Sequence, residues 1–268
     1  MTAVPRPVTL ITGASAGIGT ALARVFAERG HEVVLIARRG QQLIEIADEI
    51  ERAGHKRPHV MAVDLLRADS ITRIANDLHE RGLEPQIVVN NAGHGLMGAA
   101  ADLDRADQLA MIDLNVRALT DLSLRFIDSL ARQRGGILNV ASVASFLPGP
   151  GMAIYHATKA FVLSFSEALH HELKPRGVRV TVLCPGPVAT EFYARAGIPE
   201  KYFPSFMTLS AERVAREGYL GLMHGKRVVV PGLENKIVTF LPRLLPRGFV
   251  LDMVRNNVRG GSKPNGES

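Results

Sequence analysis

At 268 residues, 46% of them hydrophobic, the chain has ample material for a sizeable core, and no Ser/Gly/Pro-rich linker breaks its first 225 residues, so it reads as one domain with a tail. The formal net charge is +6, but residues 226–268 alone carry eight Lys or Arg against three Asp or Glu; the body is near neutral, and without a basic stripe interleaved with aromatics the composition argues against nucleic-acid binding. The single cysteine, Cys184, excludes an internal disulfide and fits a reducing compartment.

In chain order, the apolar run 8–11 reads as a short buried strand, and Ile18, Leu22, Val25 and Phe26 have the spacing of one helix face. Between them lies Gly13-Ala14-Ser15-Ala16-Gly17-Ile18-Gly19, a G-x3-G-x-G turn that departs from the common G-x-G-x-x-G. Glycines there let the backbone approach a ligand, and the helix N-terminus offers N–H groups to a phosphate, so the turn is a candidate pyrophosphate cradle. A second strand is predicted over 32–37, then a helix marked by Leu43, Ile46, Ala47 and Ile50, and a third strand over 59–63. A helix marked by Ile71, Ile74, Ala75 and Leu78 precedes a fourth strand over 87–89. The heptad-like series Leu109, Ile112, Val116, Leu119, Ser123, Phe126 and Leu130 predicts one long helix over about 105–132. Strands over 136–141, 178–183 and 227–230 alternate with helices over 152–174 and 211–223.

This alternation predicts an α/β fold, a doubly wound seven-stranded parallel sheet of Rossmann type in a single domain, followed by a helical basic C-terminal tail. We place the dinucleotide-binding catalytic domain at 1–232, with a substrate loop at about 187–209, and the tail at 233–268. The first strand begins within ten residues of Met1, and the apolar stretch 237–251 is broken by Pro242, Arg243, Pro246 and Arg247. Neither a signal peptide nor a membrane span is expected, and the expected location is cytoplasmic.

Ligands in such sheets bind at the carboxyl ends of the strands, near the point where strand order reverses. The strand ends here carry the Gly13 turn, Ala37-Arg38-Arg39, Asp64, Asn90-Asn91-Ala92-Gly93, Ser142 and Pro185-Gly186. With Asn115, Tyr155-His156-Ala157-Thr158-Lys159 and Pro187-Val188-Ala189-Thr190, these motifs resemble the short, single-domain branch of the short-chain dehydrogenase/reductase family over about residues 8–231.

Tyr155 and Lys159 are four apart and share a helix face. A cation at ~4 Å in an effective dielectric of ~20 favours phenolate by up to roughly 4 kcal/mol, about 3 pKa units, which draws a phenol from ~10 toward neutral pH. The resemblance implies the remaining roles. Tyr155 protonates the oxygen of a carbonyl receiving hydride, Ser142 holds that oxygen, Lys159 also binds the nicotinamide ribose, and Asn115 positions a water linking Lys159 to solvent. For the cofactor it implies contacts from Gly13, Ser15, Gly17, Ile18 and Gly19, adenine beside Asp64, its ribose beside Asn91, Ala92 and Gly93, and the nicotinamide amide beside Val188 and Thr190, just past Pro185-Gly186. At the end of the second strand, Ala37 stands where NAD sites place a carboxylate, and Arg38 and Arg39 follow. A 2′-phosphate is favoured there, so the expected cofactor is NADP(H). Ala16 departs from the basic residue that many NADP-preferring relatives carry at that place. No metal site is expected.

Residues 192–206 hold Phe192, Tyr193, Tyr202, Phe203 and Phe206, an aromatic lid suited to a bulky apolar ligand, with His94, Leu96, Met97, Phe146, Leu147 and Met152 as further wall. The expected partner is a small, apolar carbonyl or alcohol substrate, steroid-like or 3-oxoacyl; the same aromatics also suit a subunit contact or packing against the tail. For the tail, docking on the body or a partner subunit is favoured over contact with an anionic membrane surface or with an acidic substrate group such as a coenzyme A phosphate. The apolar faces over 109–130 and on the Tyr155 helix suit a two-fold partner and point to a homodimer or homotetramer. The alternative on the same fold is a catalytically silent nucleotide-binding or sensing protein, against which the intact set Asn115, Ser142, Tyr155 and Lys159 speaks.

Overall fold

Short apolar runs pair side by side in the computed structural model, which describes residues 4–199, 207–240, 242, 245, 246, 248–252 and 254. The strands are β1 (Arg6–Thr12), β2 (Val33–Ala37), β3 (His59–Ala62), β4 (Leu83–Asn90), β5 (Gly136–Val140), β6 (Arg179–Leu183) and β7 (Val228–Val229). They form one seven-stranded sheet in the order β3-β2-β1-β4-β5-β6-β7, every pair parallel. This is the doubly wound sheet that the alternation predicts.

Successive strand residues face opposite layers, and both layers are covered, which is why these strands read as continuous apolar runs. Ile11, Leu35, Val89 and Leu138 pack under α1 (Gly17–Glu28), α2 (Gly40–Arg52) and α9 (Ala211–Met223). Leu10, Val34, Val88 and Ile137 join the opposite core with α3 (Ser70–Glu80) and α7 (Ala153–Leu173). Full burial of side chains such as Leu22, Phe26 and Leu35 contributes about 1.5–3 kcal/mol each. Strand order reverses between β1 and β4, so the ends of these two strands, Thr12 and Asn90, open the crevice where ligands bind in such sheets.

Two elements differ from the sequence reading. β4 starts at Leu83 rather than 87, because Pro85 sits where the register to β1 shifts, a place at which a missing N–H is tolerated. The helix predicted over 105–132 is divided into α4 (Arg105–Ile112), a π-helical turn (Asp113–Ala118), α5 (Leu119–Arg125) and α6 (Ile127–Arg132), with Phe126 at φ −110° between the last two. The wider turn rotates the apolar face, so Leu109 and Ile112 are exposed while Met111 and Asn115 are buried. Such π turns frequently occur at functional sites.

In the tail, α10 (Leu233–Phe240) packs against the short 3-10 turn Val143–Phe146, and Val250 is buried. No helix among the described residues is long and apolar enough to cross a membrane. Among the same residues, no group of three or more His, Cys, Asp or Glu side chains is placed to hold a metal ion.

Candidate active site

Thr12 fastens the ends of β1 and β4 together. Its Oγ1 donates to the Val89 carbonyl at 3.2 Å and accepts from the N–H groups of Asn91 and Ala92 at 3.0 Å each. Asn91 Nδ2 donates back to the carbonyls of Thr12 and Gly13, at 3.0 and 3.2 Å. The glycine turn beside them admits no side chains at its key places. Gly13 and Gly17 have φ of +64° and +55°, and a Cβ on Gly19 would lie 2.2 Å from the Gly13 carbonyl oxygen. No side chain caps α1 at Ala16, so the N–H groups of its first turn, near Ser15 and Ile18, remain available to an anion. This open, glycine-walled cradle fits a dinucleotide pyrophosphate.

The rim of the cradle is basic. Arg38 is exposed past the end of β2, while the Arg39 guanidinium donates to Ser15 Oγ at 3.0 and 3.2 Å and to the Ser15 carbonyl at 3.2 Å, and pairs with Glu191 at 3.3 Å. Asp64 Oδ1 accepts from the Leu66 N–H at 3.1 Å, which shapes the loop after β3. The loop after β6 lies over the turn: a Cβ on Gly17 would meet the Thr190 side chain at 2.9 Å. Within that loop the Pro185 carbonyl accepts from the Val143 N–H, and the Val188 N–H donates to the Tyr193 hydroxyl, both at 2.9 Å.

Ser142, just past β5, accepts from the Ala144 N–H at 3.1 Å and lies beside the Tyr155 phenol. Tyr155 and Lys159, one turn apart on α7, are both buried. Lys159 Nζ donates to the Val140 carbonyl at 2.9 Å and lies 5.8 Å from the centre of the Tyr155 ring. Burial pushes the Tyr155 phenol up to about 12, with the Ser142 side chain opposing it, and pushes the Lys159 ammonium down to about 8. The expected fall of the phenol toward neutrality is therefore reversed in the protein alone: the ammonium is engaged by a strand carbonyl, and desolvation dominates.

Asn115, turned inward by the π turn, donates through Nδ2 to the His94 carbonyl at 2.9 Å and to Thr158 Oγ1 at 3.1 Å, and accepts at Oδ1 from the His94 N–H at 3.1 Å. A Cβ on Gly93 would stand 2.9 Å from that Oδ1 and 3.4 Å from Lys159 Nζ. The side chain of Asn115 thus clamps the loop after β4 to α7.

An apolar cluster surrounds Tyr155, in which Leu96, Met97, Met152, Phe192 and Tyr193 of the predicted wall meet Met111, Ala196 and Ile198. The Phe192 ring, on α8 (Phe192–Ala196), lies 5.6 Å from that of Tyr155. Phe146 does not join this wall; it packs into a separate core with Leu119, Val162 and Cys184. The Leu147 carbonyl meets His156 Nδ1 at 2.8 Å, and a Cβ on Gly149 would run into the same imidazole, so His156 sets the shape of this loop. His94 is half-buried, and burial together with the Arg38 charge lowers its pKa. Tyr202, Phe203 and Phe206 lie outside the described residues, as do Arg243, Arg247, Arg255 and Arg259 of the tail. The sequence motifs give no role to Thr12, Thr158 or His156; each is an ordinary residue type whose partner is remote in the chain or has no polar side chain.

Comparison with known proteins agrees with this geometry. A family model described as short chain dehydrogenase matches residues 7–200. Sulfoacetaldehyde reductase 2 of Chromohalobacter salexigens is 37% identical over 188 residues, 69% of this chain and 74% of that protein. The very-long-chain 3-oxoacyl-CoA reductase of Homo sapiens is 31% identical over 249 residues, 91% of this chain and 78% of that protein. A solved short-chain dehydrogenase from Sphingobium yanoikuyae in complex with NADPH superposes with a TM-score of 0.79 at 31% identity, covering 98% of each chain. The glycine turn and the buried tyrosine and lysine fall within residues 7–200, and the chain belongs to the short chain dehydrogenase family, oxidoreductases of CH–OH and C=O groups.

Proposed function

We propose that this chain is an NADP-dependent carbonyl reductase or alcohol dehydrogenase acting on a lipophilic ketone, with Tyr155 as general acid and base. The observation that carries this reading is a phenol buried against Leu96, Met97, Met152 and Phe192, beside Ser142 and one helical turn from a buried lysine. Such a phenol holds its proton at neutral pH and faces an apolar wall.

The cofactor would lie across the strand ends. Gly13, Ser15, Gly17, Ile18 and Gly19 hold its pyrophosphate, and Asp64 with Asn91, Ala92 and Gly93 its adenosine half. Pro185, Gly186, Val188 and Thr190 flank the nicotinamide. Arg38 is exposed past the end of β2, where Ala37 stands in place of a carboxylate, and suits a 2′-phosphate, while Arg39 reaches Ser15 on the turn and pairs with Glu191. The NADPH bound in the Sphingobium protein, similar over its full length, supports this choice. When bound, the nicotinamide supplies or accepts the hydride. Tyr155 Oη gives its proton to the carbonyl oxygen in reduction and takes it back in oxidation, Ser142 holds that oxygen, and Lys159 supplies positive charge beside the phenol.

Substrate class follows from the wall. The name of the human relative points to long acyl chains and that of the Chromohalobacter relative to a small polar aldehyde. Four apolar side chains around the proton donor favour the former. On the outer surface, Leu109, Ile112, Leu124 and Phe161 are exposed apolar residues of the helices α4, α5 and α7, and we assign them to a two-fold contact between copies of this chain. The test is NADPH consumption with long-chain 3-oxoacyl thioesters, steroid ketones and sulfoacetaldehyde; turnover of the polar aldehyde alone would contradict the substrate assignment.

A further inference from the structure

The tail helix α10 is turned opposite to the usual amphipathic sense. Leu233, Ile237 and Phe240 are 68%, 56% and 57% exposed, whereas Asn235 is completely buried and Thr239 nearly so. Asn235 Nδ2 donates to the Pro231 carbonyl at 2.9 Å, but Oδ1 is buried with no hydrogen-bond partner. Buried polar atoms are normally paired, so an unpaired one held in place calls for a reason. The neighbour of this amide is Gly186. A Cβ built on Gly186 would lie 2.1 Å from Oδ1, 2.4 Å from Cγ and 2.5 Å from Nδ2 of Asn235. The amide therefore fills the volume that any side chain at 186 would take, and the backbone there rests directly on it.

That contact lies behind a segment tied to the site on both sides. The Pro185 carbonyl accepts from the Val143 N–H in the turn after Ser142, and the Pro187 carbonyl accepts from the Leu209 N–H, each at 2.9 Å. α10 also packs on the Val143–Phe146 turn itself. One tail residue thus backs the loop that starts at Pro185 while its helix supports the turn that presents Ser142.

We propose that Asn235 is a positioning residue for the nicotinamide end of the site, its amide holding Gly186 from behind so that the segment Pro185 to Val188 meets the cofactor in one fixed arrangement. The first helix of the tail is then part of the catalytic unit. The inference rests on the NADP-dependent reading for its chemistry and on the contact with Gly186 for its geometry.

Asn235→Leu keeps the branching of the side chain and removes the amide. NADPH binding is read from the fluorescence of the bound nicotinamide, and binding of adenosine 2′,5′-bisphosphate, which carries the adenosine end alone, by calorimetry. NADPH affinity and its fluorescence enhancement should fall about tenfold while the bisphosphate stays within about twofold. With a reducible ketone, kcat should fall and the primary isotope effect from 4-deuterated NADPH should rise. Equal loss of both ligands, or no loss of either, overturns the proposal. Should Asn235→Leu fail to fold, the pair Gly186→Ala and Asn235→Ala decides: the smaller residue at 235 should restore much of the NADPH affinity that Gly186→Ala removes, and additive losses overturn the contact. If the native chain binds NADPH but reduces no ketone, the reductase reading fails, and the fluorescence comparison still decides the role of Asn235.

Discussion

Replacing Lys159 by methionine should make the protein more stable and inactive. Burial lowers the ammonium from its ordinary 10.5 to about 8, in a site that offers it the Val140 carbonyl at 2.9 Å and leaves the residue only 5% exposed. At 1.36 kcal/mol per pH unit, that lowering costs the folded protein about 3 kcal/mol at pH 7. Methionine is close in length and uncharged, and loss of the bond to Val140 takes back about 1 kcal/mol, so Lys159→Met is predicted to gain about 2 kcal/mol. The gain depends on pH with a definite sign. The unfolded chain keeps the lysine proton up to about 10.5 and the folded one only to about 8, so the wild type gains stability as pH rises through this window and the variant does not. The difference should shrink from about 2 kcal/mol at pH 7 to near zero at pH 9.5. Urea unfolding followed by far-ultraviolet circular dichroism, without cofactor, measures both values. A variant less stable than wild type at pH 7, or a difference that does not change with pH, would refute the reasoning.

Arg38→Ala should cost NADPH about tenfold in affinity and leave NADH nearly unchanged, as one charge-assisted contact to a 2′-phosphate is removed; calorimetric titration with both cofactors reads it. Glu32 is held by His59 at 2.7 Å, Arg6 at 2.9 Å and Lys56. Burial alone would raise its pKa, but the hydrogen bonds from His59 and Lys56 and the charges of Lys56 and Arg6 hold it below 4.5. Its contribution is present above pH 4.5 and lost as pH falls through the lowered value, so Glu32→Gln should lower the urea midpoint at pH 7, with the deficit narrowing at pH 3. Phe161, exposed on α7 and stacked on Phe165 at 5.8 Å, should disrupt the two-fold contact when changed to Glu, and light scattering after gel filtration should then give the mass of a single 29.0 kDa chain.

Much of the sheet is legible because parallel strands are buried on both faces, so Val33-Val34-Leu35-Ile36 appears as an unbroken apolar run whichever layer each residue joins. The glycine turn and the Tyr155–Lys159 pair are each weak signals alone and are legible together, because they stand in order with Asn90-Asn91-Ala92-Gly93, Asn115 and Ser142 at strand ends or on the adjoining helix. The start of β4 was hidden by Pro85, whose effect depends on a register shift to β1 that no single segment encodes. The π turn at Asp113–Ala118 was hidden too, since one extra residue per turn leaves composition unchanged and blurs the period that marks a helix. Thr12 and Asn91 are 79 residues apart and Asn115 and Thr158 43 apart, so their contacts exist only in the fold. The same holds for the cost of Lys159: spacing shows that it neighbours Tyr155, while only burial decides that its ammonium is pushed down and the phenol up.

In the proposed reaction Tyr155 transfers a proton while NADPH reduces an apolar ketone. Its most direct test is the loss of NADPH absorbance with steroid ketones, 3-oxoacyl thioesters, aromatic ketones and sugars, run in parallel on the native chain and on Tyr155→Phe. Turnover of an apolar ketone is expected, falling by about 10²–10⁴ in the variant, with NADPH still bound. Tight NADPH binding with no turnover of any ketone, or turnover that survives Tyr155→Phe, would contradict it.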